Sequence, residues 1–255
     1  MSRDAHWPYP RILAHRGGGT LAPENTLGAI RHGAALGFRG FEIDVMLAGD
    51  GTPVLIHDEN LERTTGLRAN VAETPYARIA GLDAGAWHGE RWRGERVPTY
   101  AQAAALFIEL GLWVNVEIKP AQGHEAATGR EVARMTCALW RTAPAGTPVP
   151  LLSSFSAEAL AAARESAPEL RRGLIVRAIP DDWHAQLQAL DAFSLHCSRR
   201  VFDPARAAVV RSAGYGLACW TVNEPEEART LLAAGADCLI TDRLDLIVPG
   251  FADAA

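Results

Sequence analysis

Phe41-Glu42-Ile43-Asp44-Val45 sets two carboxylates inside an otherwise apolar run. Side chains alternate across a strand, so Phe41, Ile43 and Val45 face one side and Glu42 and Asp44 the other. Like charges on one inner face are unfavourable, because each loses its hydration and repels its neighbour. A bound cation relieves both costs. Further along, Trp113–Lys119 repeats the pattern, with Val114, Val116 and Ile118 on one side and Asn115, Glu117 and Lys119 on the other. Two separate strands that aim acids at one place imply a shared polar mouth.

Around these runs the chain alternates between two kinds of segment. Strands are predicted at Ile12–His15, Phe41–Leu47, Trp113–Lys119, Pro150–Phe155, Gly173–Arg177, Phe193–Cys197, Leu217–Val222 and Cys238–Thr241. Helical patterns fall between them at Thr26–Leu36, Tyr100–Leu110, Glu125–Trp140, Ala157–Ala167, Asp182–Leu190, Pro204–Ser212 and Pro225–Ala234. Ser156, Asp203 and Asn223-Glu224 are start signals, and Gly37, Gly111, Gly214 and Gly235 are stops. Eight strands alternating with helices predict an α/β fold, a parallel (β/α)8 barrel of the TIM type with its site at the C-terminal strand ends. A doubly wound open sheet has the same βα count; the inward-facing charges favour the barrel.

Two segments break the rhythm. Pro53–Asp58 follows Phe41–Leu47 after only Ala48-Gly49-Asp50-Gly51-Thr52. A parallel crossover needs a dozen or more residues, so this is an antiparallel rim hairpin, which sets His57 opposite Glu42 or Ile43. The second break, at about 60–98, is rich in Arg, Gly and Trp and reads as an inserted lobe over the mouth, with His88, Trp87 and Trp92 as candidate lining. One domain over residues 1–255 is expected.

Composition narrows the function classes. A formal charge of −5 gives no support for non-specific binding to nucleic acid or anionic lipid, so an anionic substrate must be held by a few local cations. No apolar run approaches the ~20 residues that span a bilayer, and the first ten residues lack the apolar core of a signal peptide. Cys137, Cys197, Cys219 and Cys238 show no Cys-x-x-Cys spacing, which fits packing roles in a reduced, cytoplasmic protein. A small molecule is the expected partner, and the oligomeric state is open.

The first strand ends in His15-Arg16-Gly17-Gly18-Gly19, followed by Pro23-Glu24-Asn25-Thr26. Arg16 offers a forked donor suited to phosphate oxygens, and the glycines allow close backbone approach to a ligand. With Glu42-Ile43-Asp44-Val45, Val54-Leu55-Ile56-His57-Asp58, Glu117-Ile118-Lys119, Ser153-Ser154-Phe155, Cys219-Trp220-Thr221-Val222-Asn223 and Thr241-Asp242, these blocks resemble the glycerophosphodiester phosphodiesterase family. The ordered set spans Ile12 to about Val248.

The resemblance implies a distorted barrel with a small insertion after the rim hairpin. It also implies one divalent cation, Mg2+ or Ca2+, held by Glu42, Asp44 and Glu117, hard oxygen ligands for a hard ion. His15 and His57 match the general acid/base pair for cleaving a glycerophosphodiester to glycerol 3-phosphate and an alcohol. Arg16 and Lys119 then balance the phosphate charge, although Lys119 is equally placed to pair with the acids. Trp220 covers the glycerol or packs in the barrel, Phe155 is a candidate wall, and Asn25 is a substrate contact or a helix cap. His196 and the remaining histidines default to surface or packing roles. Rival readings are phospholipase or lysophospholipase D-type activity on the same barrel, and a phosphodiester-binding protein without turnover.

Overall fold

The computed structural model describes residues 7–253. Its first half contains β1 (Ile12–Ala14), α1 (Leu27–Ala35), β2 (Gly40–Leu47), β3 (Pro53–Leu55), the short α2 (Glu62–Thr65) and α3 (Tyr76–Ile79), and α4 (Tyr100–Leu110). Strand and helix then alternate through β4 (Trp113–Ile118), α5 (Glu125–Arg141), β5 (Leu151–Ser154), α6 (Ala157–Ser166) and β6 (Arg171–Val176). The chain finishes with α7 (Trp183–Ala189), β7 (Ser194–Ser198), α8 (Pro204–Ser212), β8 (Gly216–Trp220), α9 (Pro225–Ala233) and β9 (Cys238–Thr241). Neighbouring strands run β1-β9-β8-β7-β6-β5-β4-β2, all parallel, and β1 also pairs with β2. The ring is closed, which excludes the open sheet.

The ninth strand is the predicted hairpin arm. β3 runs antiparallel to β2, with Val45 opposite Leu55 and Leu47 opposite Pro53. Regular pairing stops at Leu55 rather than Asp58, yet the Ile56 N–H still donates to the Asp44 carbonyl at 3.2 Å. Continuing this register sets His57 opposite Ile43, as the hairpin argument requires. The neck of the following excursion is pinched shut, since the Leu55 N–H donates to the Pro98 carbonyl at 3.0 Å and Val54 bridges to Thr99.

Alternation divides the strand residues between two environments. Phe41, Ile43 and Val45 pack with Val114, Val116 and Ile118 in the main apolar core, where the Phe41 and Phe107 rings lie 5.6 Å apart. The opposite faces point into the barrel, where Glu42 neighbours Asn115 and Asp44 neighbours Glu117. The N-terminal end of the barrel is sealed by aromatics: Tyr9 stacks on Trp113 at 4.3 Å, and Trp7 meets both Trp113 and Phe193 edge-on or tilted. A smaller apolar cluster of Met46, Val54, Ile56, Leu61, Val71, Ile79 and Val97 lies under the segment between β3 and α4. No helix among the described residues is long and apolar enough to cross a membrane.

Among the described residues, four of the α-helix starts carry a side-chain cap. Ser156 caps α6 and Asp203 caps α8 through their side chains, and Thr99 with Gln102 forms a capping box on α4. α1 is capped by Thr26, which accepts from the Ala29 N–H at 3.1 Å, and not by Asn25. At α9 the cap position falls to Glu224, which makes no side-chain cap bond. Asn223 is already committed elsewhere, to Asp242.

One glycine of the first loop is fixed by both conformation and space. Gly19 has φ +54, and a Cβ there would lie 2.2 Å from the Asp242 carbonyl oxygen. The adjacent Thr20 N–H donates to that oxygen at 2.9 Å, so the loop after β1 lies directly on the loop after β9. We expect Gly19→Ala to lower unfolding free energy in urea by about 2 kcal/mol or more. Gly51→Ala is the control: φ is also positive, at +82, but the position faces open space. Equal losses in the two variants would rule out the close approach as the cause.

Candidate active site

The strands of the ring converge on one cavity of about 110 Å3. The loop after β1 supplies His15 and Arg16, β2 supplies Glu42 and Asp44, and the hairpin supplies His57. β4 and its end supply Asn115, Glu117 and Lys119, while Phe155 follows β5 and Trp220 ends β8. Nine of the ten residues expected from the sequence line this space.

The tenth, Asn25, stands behind the cavity wall. It is buried, and its Nδ2 donates to Asp44 Oδ2 at 2.8 Å while its Oδ1 accepts the Asp44 N–H at 3.1 Å. It therefore orients a carboxylate, and the cap of α1 is left to Thr26. Arg16 does the same through its backbone, donating its N–H to Glu42 Oε2 at 3.0 Å. Both residues have left-handed backbone, with φ +52 at Arg16 and +56 at Asn25. Such conformations cost a non-glycine residue of order 1–3 kcal/mol and persist where the surroundings enforce them.

Glu42, Asp44 and Glu117 each offer a carboxylate oxygen within 4.8 Å of the others. Burial, then Asp44 and Glu117, push the Glu42 carboxyl well above its ordinary range. Burial and Asp44 raise Glu117 to about 7, against the opposing pull of Lys119, 3.6 Å away, and Arg16. Burial also works against the Asp44 carboxylate, but His57, Arg16, Lys119 and Asn25 outweigh it and hold its pKa low. Lys119 Nζ lies 3.9 Å from Asp44, so it pairs with the acids and borders the cavity at once. Glu42 Oε1 is buried without a hydrogen-bond partner. An orphaned carboxylate oxygen among two further carboxylates is the donor set of a hard divalent cation, and the residues fit that ion.

The two histidines are mounted alike. His15 Nδ1 donates to Asp242 Oδ1 at 2.5 Å, which leaves Nε2 facing inward, 3.8 Å from Glu42 Oε2. Asp242 is held in turn by Asn223, whose Nδ2 donates to Oδ2 at 3.0 Å and whose Oδ1 accepts the Asp242 N–H at 2.9 Å. His57 Nδ1 lies 2.7 Å from Asp58 Oδ1, and Arg63 Nε donates to Asp58 Oδ2 at 2.5 Å. Arg63 also forks onto both oxygens of Glu24 at 2.7 Å, and Glu24 accepts from Arg16 at 3.0 Å. Burial holds the His57 imidazole below its ordinary pKa; Arg16 and Lys119 add to this and Asp44 opposes it. Burial opposes the Asp58 carboxylate, but Arg63 and His57 prevail and bring it down to about 2.

Asp242, Asp58, Glu24 and Arg63 had no role assigned from the sequence, and Asn223 was expected only as a helix start signal. All except Arg63 stand inside the motif blocks, but only the folded geometry shows which group each one holds. Arg63 lies in the inserted segment, where no pattern marks it. His196, expected in a surface or packing role, is packed and also borders the cavity. It is buried in the cavity floor, its Nε2 meets Ser194 Oγ at 2.9 Å, and burial lowers its pKa to about 4. Conversely, Trp87, His88 and Trp92 do not line the cavity; His88 Nε2 instead lies 3.0 Å from the Thr20 carbonyl.

Phe155 and Trp220 meet edge to face, with centroids 5.5 Å apart, and border the mouth. Beyond Phe155 opens a cleft of about 350 Å3 with Glu59 and Glu125 in its wall. Beyond Trp220 lies a second of about 530 Å3, lined by Arg177, Arg199 and Arg200.

Comparison with known proteins gives a consistent result. Residues 15–246 match the sequence model of the glycerophosphoryl diester phosphodiesterase family. A glycerophosphodiester phosphodiesterase of Caldanaerobacter subterraneus is 32% identical over 238 residues, covering 93% of this chain and 96% of its own. An Oleispira antarctica phosphodiesterase, solved with the product sn-glycerol-3-phosphate, matches with a TM-score of 0.88 at 35% identity over 97% of this chain and 98% of its own. A glycerophosphodiester phosphodiesterase of Agrobacterium tumefaciens gives a TM-score of 0.74 at 25% identity over 95% and 99%.

The crowded carboxylates generate a pH prediction. Glu117 binds a proton more tightly folded than unfolded, so raising the pH through about 7 removes a proton that the native state had held. That contribution to stability is present below the unfolded pKa and lost above the folded one. His57 and His196, both lowered, act in the opposite sense, so the comparison must be with a variant rather than across pH alone. In chelator, Glu117→Gln should gain about 1–3 kcal/mol relative to the parent between pH 5 and 8. Urea denaturation across that range measures it; parallel curves would show that the acids do not strain one another.

Proposed function

The chain belongs to the glycerophosphoryl diester phosphodiesterase family, and we propose that it hydrolyses glycerophosphodiesters to glycerol 3-phosphate and an alcohol. The observation that carries this reading is the matched pair of histidines. Each has Nδ1 committed to a carboxylate and Nε2 left for the cavity in which three further carboxylates converge.

A phosphodiester needs a base for the attacking hydroxyl and an acid for the departing alkoxide. His57, held neutral by burial, is the base, and its Nε2 takes the proton of the nucleophile. The same base serves water or the neighbouring glycerol hydroxyl, and both routes end in the same products. His15 is the acid: Asp242 fixes its ring, so that Nε2 presents its proton to the leaving oxygen. Arg16 and Lys119 stabilise charge that builds on the phosphoryl oxygens. Glu42, Asp44 and Glu117 would hold one divalent cation, Mg2+ or Ca2+, which would supply Lewis-acid stabilisation of the phosphoryl charge.

The test is glycerol 3-phosphate release from glycerophosphocholine. His15→Ala and His57→Ala should each lower kcat by about 10²–10⁴, and chelation should abolish turnover in a way that Mg2+ or Ca2+ restores. Asp242→Asn, which loosens the ring without removing it, should cost about tenfold or more in kcat with KM little changed. Turnover that survives both chelation and the loss of His15 would sink the mechanism.

A further inference from the structure

The barrel ring gives the substrate a direction. Going round from β1, the strands are β2, β4, β5, β6, β7, β8 and β9, so β7 and β8 stand across the ring from β2 and β4. On the reading above, His57 activates the entering oxygen from the hairpin arm on β2, the same side as the carboxylates of β2 and β4. In a phosphoryl transfer the entering and leaving oxygens lie roughly in line on opposite sides of phosphorus. The departing alcohol is therefore directed across the barrel, towards β7 and β8.

What it meets there is the cleft of about 530 Å3 walled by Arg177 after β6 and by Ser198, Arg199 and Arg200 at the end of β7. Trp220 and Thr221 border both this cleft and the catalytic cavity, so one ligand can occupy the two. Asp242, which orients His15, also lines it, placing the proposed acid beside the leaving oxygen. The cleft is strongly positive although the chain as a whole carries −5. Arg199 is held by both oxygens of Glu227 at 2.8 Å. Arg177 and Arg200 are exposed and form no ion pair or side-chain hydrogen bond among the described residues. The one carboxylate in the wall, Asp242, is already engaged by His15 and Asn223. The opposite cleft, beside Glu59 and Glu125, has no arginine in its wall.

We propose that the arginine cleft is the subsite of the leaving alcohol and that it selects alcohols bearing a second phosphate group. This rests on the phosphodiesterase reading. Two unpaired guanidinium forks match a phosphate dianion in charge and in donor geometry. The chemistry is unchanged: the P–O bond to the alcohol breaks, and water supplies hydroxyl to phosphorus and a proton to the alcohol.

The experiment compares kcat/KM for two diesters whose leaving alcohols differ only by a phosphate, glycerophosphoglycerol and glycerophosphoglycerol phosphate, with metal-loaded enzyme. The second should be preferred by about tenfold or more, as expected for charge-assisted hydrogen bonds. Higher ionic strength should shrink that ratio. The double variant Arg177→Ala/Arg200→Ala should bring it close to one, and Arg200→Glu should bring it below the parent value without need of the double change. A parent ratio of one or less, or a ratio that persists in the double variant, overturns the subsite. Failure to turn over either diester would instead bring down the phosphodiesterase reading itself, so the two failures are distinguishable.

Discussion

The mutual repulsion of three buried carboxylates is the constraint around which this molecule is arranged. Glu42, Asp44 and Glu117 come within 4.8 Å of one another, two of them buried and the third partly so, and an ordinary core would not tolerate them. The protein answers with a graded set of partners. Asp44 receives Arg16, Lys119 and both ends of the Asn25 amide, whereas Glu42 receives one backbone N–H and His15 at 3.8 Å and keeps one oxygen bare. Compensation is thus deliberately incomplete. The pKa of one carboxylate is lowered while those of the other two are raised, and the shortfall amounts to room for a cation.

The acid/base groups depend on the same closure of the ring. His15 belongs to the first strand's loop and Asp242 to the last, so their contact exists only because β1 and β9 are neighbours. His57 reaches the acids because β3 folds back along β2. The Arg63 and Glu24 pair then links its support to Arg16, so the two sides of the cavity share one electrostatic scaffold.

Much of this was legible in the chain, for a physical reason. Period-two alternation at Phe41–Val45 and Trp113–Lys119 is a local property, and it correctly placed the carboxylates on the inner face and the hydrophobes under the helices. The five-residue turn forced an antiparallel arm, which delivered His57 as reasoned. What was not legible were pairings across great sequence distance. Nothing local distinguishes Asn25 the helix cap from Asn25 the clamp on Asp44, because the choice depends on a strand nineteen residues away. Asp242 was obscure for the same reason, Arg63 because no pattern marks it within the insertion, and the tryptophans of the insertion because aromatic content alone does not say which way a lobe faces.

The pinched neck between Leu55 and Pro98 separates two kinds of change that this protein can absorb. Because the chain leaves and re-enters at one strand, the loop-closure cost is met at the neck, and lengthening the distal part adds little to it. The small apolar cluster beneath it turns that segment into a semi-independent module. Its first turn is a different matter, for Arg63 is anchored there and grips Asp58 and Glu24. Grafting a foreign lobe is therefore tolerable beyond Arg63, and before it every insertion would unseat a histidine.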